Sequence, residues 1–152
     1  AIAFSEEDAT FSAKLKAGAE KETDLLLSKH PYNTSLYRTA IRTYYQLSVL
    51  DQSFINKTLK TLDQTIKLSP TDPKLTFNKA VILNSEGKNL EAIGILQNTL
   101  KLRPNYKEAY LILATIYMEE KQFSEAQKIL NQLLKLIPGD PEALEKLKEL
   151  EK

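Results

Sequence analysis

Thr65-Ile66-Lys67-Leu68-Ser69-Pro70, Thr99-Leu100-Lys101-Leu102-Arg103-Pro104 and Leu134-Lys135-Leu136-Ile137-Pro138 are three versions of one phrase. Their closing prolines recur at a 34-residue spacing. A fixed period of that length marks a repeat architecture, in which each unit buries its apolar face on its neighbours. A fourth phrase, Leu25-Leu26-Leu27-Ser28-Lys29-His30-Pro31, closes earlier. The interval from Pro31 to Pro70 is longer than the period, so the unit between them carries five extra residues.

Between the prolines, apolar residues follow helical spacing. From Lys107 to Glu120 the series Tyr110, Leu113, Ala114, Tyr117 reads i, i+3, i+4, i+7. From Phe123 to Leu136 it continues as Phe123, Ala126, Leu130, Leu133, Leu134. Each helix then has one apolar stripe that it must bury on a neighbour. Only Lys121-Gln122 separates the two runs, and so short a connection makes the helices antiparallel partners. Gly87-Lys88-Asn89 does the same work one unit earlier, with Gly87 suited to a left-handed helix end.

These residues resemble the tetratricopeptide repeat. The best unit, 107–140, places Tyr110, Leu113, Ala114, Tyr117, Ala126, Leu130 and Pro138 where that family puts its large, apolar, small, aromatic, small, large and proline residues. The unit 73–106 matches with Ala80, Leu83, Gly87, Ala92, Leu96 and Pro104, and departs at Thr76 and Lys79, where Phe77 and Leu75 compensate from adjacent positions. The unit 34–72 is divergent: Tyr37, Ala40 and Tyr44 fit its first helix, and Thr58, Leu62 and Pro70 its second. The resemblance implies an all-α, right-handed solenoid in a single domain over 1–152.

The ends have separate jobs. Ser5-Glu6-Glu7-Asp8 reads as a helix cap followed by acids in the first turn, which suits the positive helix end. One long helix is expected over 5–29, and its roughly 24 residues would span ~36 Å. Its last turn resembles a second repeat helix, so it caps the array. Gly18 costs that helix roughly 1 kcal/mol relative to Ala and marks close packing. At the other end, Pro141 opens a capping helix over 141–152, polar apart from Leu144, Leu147 and Leu150. The chain begins without Met, which reads as a processed form or a piece of a longer protein.

Composition excludes several classes of chemistry. The 152 residues carry 21 Lys+Arg against 20 Asp+Glu, a net charge of +1. The balance holds along the chain, with nine basic and nine acidic groups in 1–72, then twelve and eleven in 73–152. No basic face for nucleic acid follows from such a count. Without cysteine there is no thiolate nucleophile, disulfide framework or Cys-ligated metal. With His30 the only histidine, a two-histidine metal site within one chain is excluded. No run of about 18 apolar residues exists, so nothing in this sequence spans a membrane as a helix. No cofactor is expected, and the four glycines are too scattered to form a phosphate-cradling loop.

By resemblance to the family, the second, fifth, sixth, ninth and twelfth residues of each unit line a concave face. Here these are Ser35, Arg38, Thr39, Arg42 and Tyr45, then Lys74, Phe77, Asn78, Val81 and Asn84, then Glu108, Leu111, Ile112, Thr115 and Met118. The face passes from basic through amide to apolar. The expected function is a non-catalytic module that holds a peptide or protein segment there. Guanidinium groups of Arg38 and Arg42 would meet acidic groups or a C-terminal carboxylate, and Phe77, Leu111 and Met118 would receive apolar side chains. The bland reading makes the arginines a solvated face and the apolar residues shallow packing. Family members that grip chaperone tails carry basic residues on a third unit, where this chain has Glu108 and Ile112.

Other residues have structural readings. His30 fits a helix end. Tyr32, Tyr37, Tyr44 and Tyr45 would form a stacking platform only if they pointed outward, and Tyr37 and Tyr44 fall on the core period. Glu119 and Glu120 are adjacent on a helix and do not face each other. The sequons at Asn33 and Asn56 carry no weight alone. A second resemblance, on His30-Pro31-Tyr32-Asn33, Tyr37-Arg38 and Tyr44-Tyr45-Gln46-Leu47, is to soluble tails of bacterial O-antigen ligase or polymerase-type membrane proteins. It implies a regulatory or scaffolding tail tethered to a membrane enzyme. Self-association through exposed repeat edges is the third reading.

Overall fold

The computed structural model describes residues 6–150, with side chains from Thr10 onward. Ser5, read as the first helix cap, lies outside the described residues. Eight helices and no strand occur among the described residues, and the chain is an all-α protein of the solenoid class built from helix pairs. Two compact units divide it, one through Pro70 and one from Thr71.

The first unit holds α1 (Glu6–Lys29), α2 (Thr34–Ser48) and α3 (Phe54–Leu68). Asn33 starts α2, its side-chain oxygen accepting from the N–H groups of Ser35 and Leu36 at 3.1 and 3.2 Å, which satisfies two otherwise orphaned donors. Tyr37, Ala40, Ile41 and Tyr44 form the buried stripe of α2. Phe54, Thr58, Leu62 and Thr65 answer from α3. The buried hydroxyls of Thr58 and Thr65 each donate to the carbonyl four residues back, at 2.8 and 2.7 Å, so burial leaves no unpaired donor. Helix α1 reaches this core through Leu27, which packs with Ala40, Tyr44 and Phe54.

The second unit holds α4 (Pro73–Ser85), α5 (Asn89–Leu102), α6 (Lys107–Glu119), α7 (Phe123–Leu136) and α8 (Pro141–Leu150). Set beside its pairs, α2 and α3 reveal where the five extra residues go. Two lengthen the first helix, two lengthen the turn, and one lengthens the second helix. Both turns of the second unit use one geometry. Gly87, at φ +72°, lets the Lys88 N–H reach the Leu83 carbonyl at 2.8 Å. Lys121, at the same place in the next repeat, takes φ +59°, and the Gln122 N–H reaches the Tyr117 carbonyl at 2.8 Å. A residue with a Cβ is strained there. No sequence signal marked Lys121 for that role.

Thr76 replaces the family's aromatic with a polar contact, since the Thr99 hydroxyl donates to its oxygen at 2.8 Å. Phe77 packs against Tyr106 with the rings tilted and their centroids 4.9 Å apart. Asp140 starts α8, accepting from the Ala143 N–H at 3.0 Å and pairing with Lys107 Nζ at 2.6 Å.

Candidate functional site

The first helices of the pairs carry the residues expected to bind. In the first unit, Arg38, Arg42 and Tyr45 are exposed on α2, opposite its buried stripe. In the second unit α4 and α6 are neighbours. Lys74 and Asn78 are exposed on α4, while Phe77, Val81 and Asn84 are half-buried. Ile112, Thr115 and Met118 on α6 are half-buried as well. The Thr115 hydroxyl donates to the Leu111 carbonyl at 2.9 Å, which turns its methyl group away from that bond.

Leu111 departs from the expectation. It is 7 % exposed and sits in a cluster with Tyr110, Ala114, Leu130, Leu133 and Ala143. The capping helix supplies Ala143, so Leu111 is core rather than open surface. Phe77, committed to Tyr106, is likewise only partly open. Asn84 is tied into the scaffold, because its amide donates to Asn89 at 2.9 Å and to Glu119 at 3.3 Å. Asn89 in turn donates to Glu120 at 2.7 Å. Glu119 and Glu120 therefore join α6 to the end of α4 and the start of α5 through separate amides.

The aromatic platform separates into roles. Tyr32 is exposed, whereas Tyr37 and Tyr44 are core. Tyr44 stacks on Phe54 with centroids 6.2 Å apart and donates its hydroxyl to Asp24 at 2.6 Å. Burial, with Asp24 adding, pushes the Tyr44 phenol well above its ordinary value. Asp24 also pairs with Lys57 at 2.8 Å. A cavity of about 390 Å³ lies beside this network in the first unit, lined by Asp24, Leu27, Tyr44, Lys57, Thr61 and Gln64. Local spacing could not reveal it, because Asp24 and Lys57 are 33 residues apart. His30 is exposed at the end of α1, its backbone N–H donating to Leu26 at 3.1 Å.

No cluster of His, Asp or Glu suited to a metal ion occurs among the described residues. No described helix is long and apolar enough to cross a membrane.

Comparison with known proteins finds a family match over part of the chain and a fold match over most of it. Residues 83–150 match the tetratricopeptide repeat family model. Curated protein sequences return no match. Among solved structures, MamA aligns with a TM-score of 0.73 at 19 % identity, over 98 % of this chain and 84 % of its own. The first repeat domain of Spaghetti (RPAP3), solved with the HSP90 peptide SRMEEVD, aligns at 0.62 and 18 % identity, over 76 % of this chain and 92 % of its own. The second repeat domain of human RPAP3, solved with the HSP70 peptide SGPTIEEVD, aligns at 0.64 and 16 % identity, over 79 % and 99 %. Identities this low show likeness of fold. The resemblance to tails of glycan-assembly proteins gains no support from these matches. Repeats of this kind are typical of protein–protein interaction modules and are generally non-catalytic. Residues 83–150 match the tetratricopeptide repeat by sequence, and nearly the whole chain shares the fold of solved tetratricopeptide-repeat proteins.

Proposed function

We propose that the chain binds an extended segment of another protein on the solvent face of its first helices. The observation that carries this is in the second unit. Lys74 and Asn78 reach solvent on α4, beside half-buried Val81 on the same helix and Ile112, Thr115 and Met118 on its neighbour α6. Polar groups that fix a backbone, next to apolar side chains that gain by burial, suit an extended peptide better than a small substrate. In the first unit Arg38, Arg42 and Tyr45 occupy equivalent repeat positions and would meet acidic groups or a carboxylate. The two RPAP3 domains, which share the fold, were solved with acidic peptides.

Leu111 contributes by supporting the face from beneath rather than by contact. Phe77 contributes an edge, and Asn84 keeps its structural amide bonds.

A peptide array probed with the labelled chain tests this reading, using extended peptides of varied charge with free and amidated C-termini. The expected result is a set of binders whose affinity falls about tenfold or more in Met118→Glu. Arg42→Glu should selectively weaken acidic peptides and flatten their salt dependence. Binding unchanged in both variants overturns the proposal.

A further inference from the structure

Helix α1 is turned the opposite way from an ordinary amphipathic helix. Its packed side is held largely by polar groups: Lys16 to Asp51, Glu20 and Asp24 to Lys57, and Asp24 to Tyr44. Leu27 adds an apolar contact to the core. Phe11, Leu15, Leu25 and Leu26 are all exposed. Among the described residues, and apart from its chain neighbours and the nearby backbone of its own helix, nothing lies within 4 Å of where a Cβ on Gly18 would stand. The close packing expected at Gly18 is therefore not found among the described residues.

The repeat register says what would cover this helix. In α3, α5 and α7 the residue five before the closing proline is Thr65, Thr99 and Leu133, and each is 0 % exposed. In α1 that residue is Leu26, before Pro31, and it is 47 % exposed. Each of the other second helices packs on the first helix that precedes it. Among the described residues, none precedes α1.

The C-terminal unit has the converse vacancy. Helix α8 is in first-helix register, and α2, α4 and α6 each pack on a following second helix. Among the described residues, none follows α8. The fourth residue of the repeat is buried as Tyr37 and Tyr110, but as Leu144 it is 41 % exposed. Lys148 stands at the eighth position, where Ala80 and Ala114 are buried. Leu144 and Lys148 line an open hollow of about 550 Å³ with Pro141, Glu145 and Glu149.

We infer that α8 of one copy docks on α1 of the next, supplying a first helix for it and joining copies head to tail. Within the chain's own pair α6 and α7 the equivalent residues, Tyr110 and Leu133, share one cluster; the same antiparallel pairing sets Leu144 against Leu26 and, one turn further, Lys148 against Glu22. One apolar contact and one ion pair thus fall in a single register. Lys148, too large and too polar for the packing of Ala80 and Ala114, meets an acidic side chain one turn from Leu26. Successive first helices are neighbours in the second unit. The same stacking would place Glu149 beside Arg42, both at the ninth position. Unlike surfaces joined head to tail build rings or filaments rather than closed dimers.

Sedimentation velocity of the chain across a wide concentration range tests this. The expected result is mass growing past the dimer with concentration and falling with added salt. Leu26→Glu and Leu144→Glu replace exposed residues, so both should retain the parent's helical circular dichroism. Each should weaken association about tenfold or more. Mixed together they should form a 1:1 pair of twice the 17.3 kDa chain mass, because one keeps its tail and the other its head. Glu22→Lys should be rescued by Lys148→Glu in the same chain. A monomer at every concentration overturns the inference. So does association that survives Leu144→Glu, which would place another occupant on α1, or a mixture that fails to pair.

Discussion

Replacing Asp140 with alanine probes how the terminal helix is fastened. Asp140 is 4 % exposed, accepts from the Ala143 N–H at 3.0 Å, and lies 2.6 Å from Lys107 Nζ. Loss of such a cap costs about 1 kcal/mol, in a range of roughly 0.5–2. The ion pair adds a smaller part, since Lys107 is partly solvated and keeps Glu142 at 2.8 Å. Asp140→Ala should therefore cost about 1–2 kcal/mol, or roughly 4–8 °C of melting temperature per kcal/mol for a unit of this length. Asp140→Asn keeps a capping oxygen and should lose less than half of that. The hydrogen bond from Lys107 holds the Asp140 carboxyl below its ordinary 3.8, burial opposes it, and the Ala143 N–H reinforces it. A depressed folded value means this stabilisation is complete above pH 3.8 and disappears as pH falls through the depressed value. At the alkaline end Lys107 is raised to about 12 by Asp140 and Glu142. Its share is complete below 10.5 and lost as pH climbs through about 12. Urea unfolding followed by circular dichroism at several pH values measures all of this. Equal stability of Asp140→Ala and the parent at neutral pH would refute the reasoning, as would a difference that persists unchanged in strong acid.

Three further changes test local parts of the account by the same assay. Lys121→Gly should stabilise the chain by about 1 kcal/mol, because glycine removes the left-handed strain at φ +59°. Gly87→Ala should cost a similar amount, and opposite signs in either case contradict the turn assignment. Tyr44→Phe should cost about 1 kcal/mol, because the Tyr44–Asp24 bond is lost while Asp24 keeps Lys57. Since the Tyr44 phenol is raised, its contribution is complete below pH 10 and lost as pH rises through the raised value. Ultraviolet titration should therefore show the Tyr44 phenol missing from the ordinary range in the folded parent, a deficit that Tyr44→Phe removes.

Sequence carried the repeat because repeats are local. The 34-residue spacing of Pro70, Pro104 and Pro138, and the i, i+3, i+4, i+7 run from Tyr110 to Tyr117, specify helix pairs without any long-range information. Lys121 escaped notice because its backbone state is imposed by the turn it completes, not by its own preference. The Asp24–Tyr44–Lys57 network escaped because it joins three helices, and side chains 20 and 33 residues apart leave no periodic trace. Leu111 looked like open surface because the fifth position is usually open. Here α8 brings Ala143 over it, and that contact depends on a helix in the next repeat register.

The central claim is that the first-helix face of the second unit receives a peptide. Amide chemical-shift mapping, with the strongest binder from the peptide array, tests it most directly. The account expects shifts concentrated at Lys74, Asn78, Val81, Ile112, Thr115 and Met118. Shifts concentrated instead on α5 and α7, or none at saturating peptide, would contradict it.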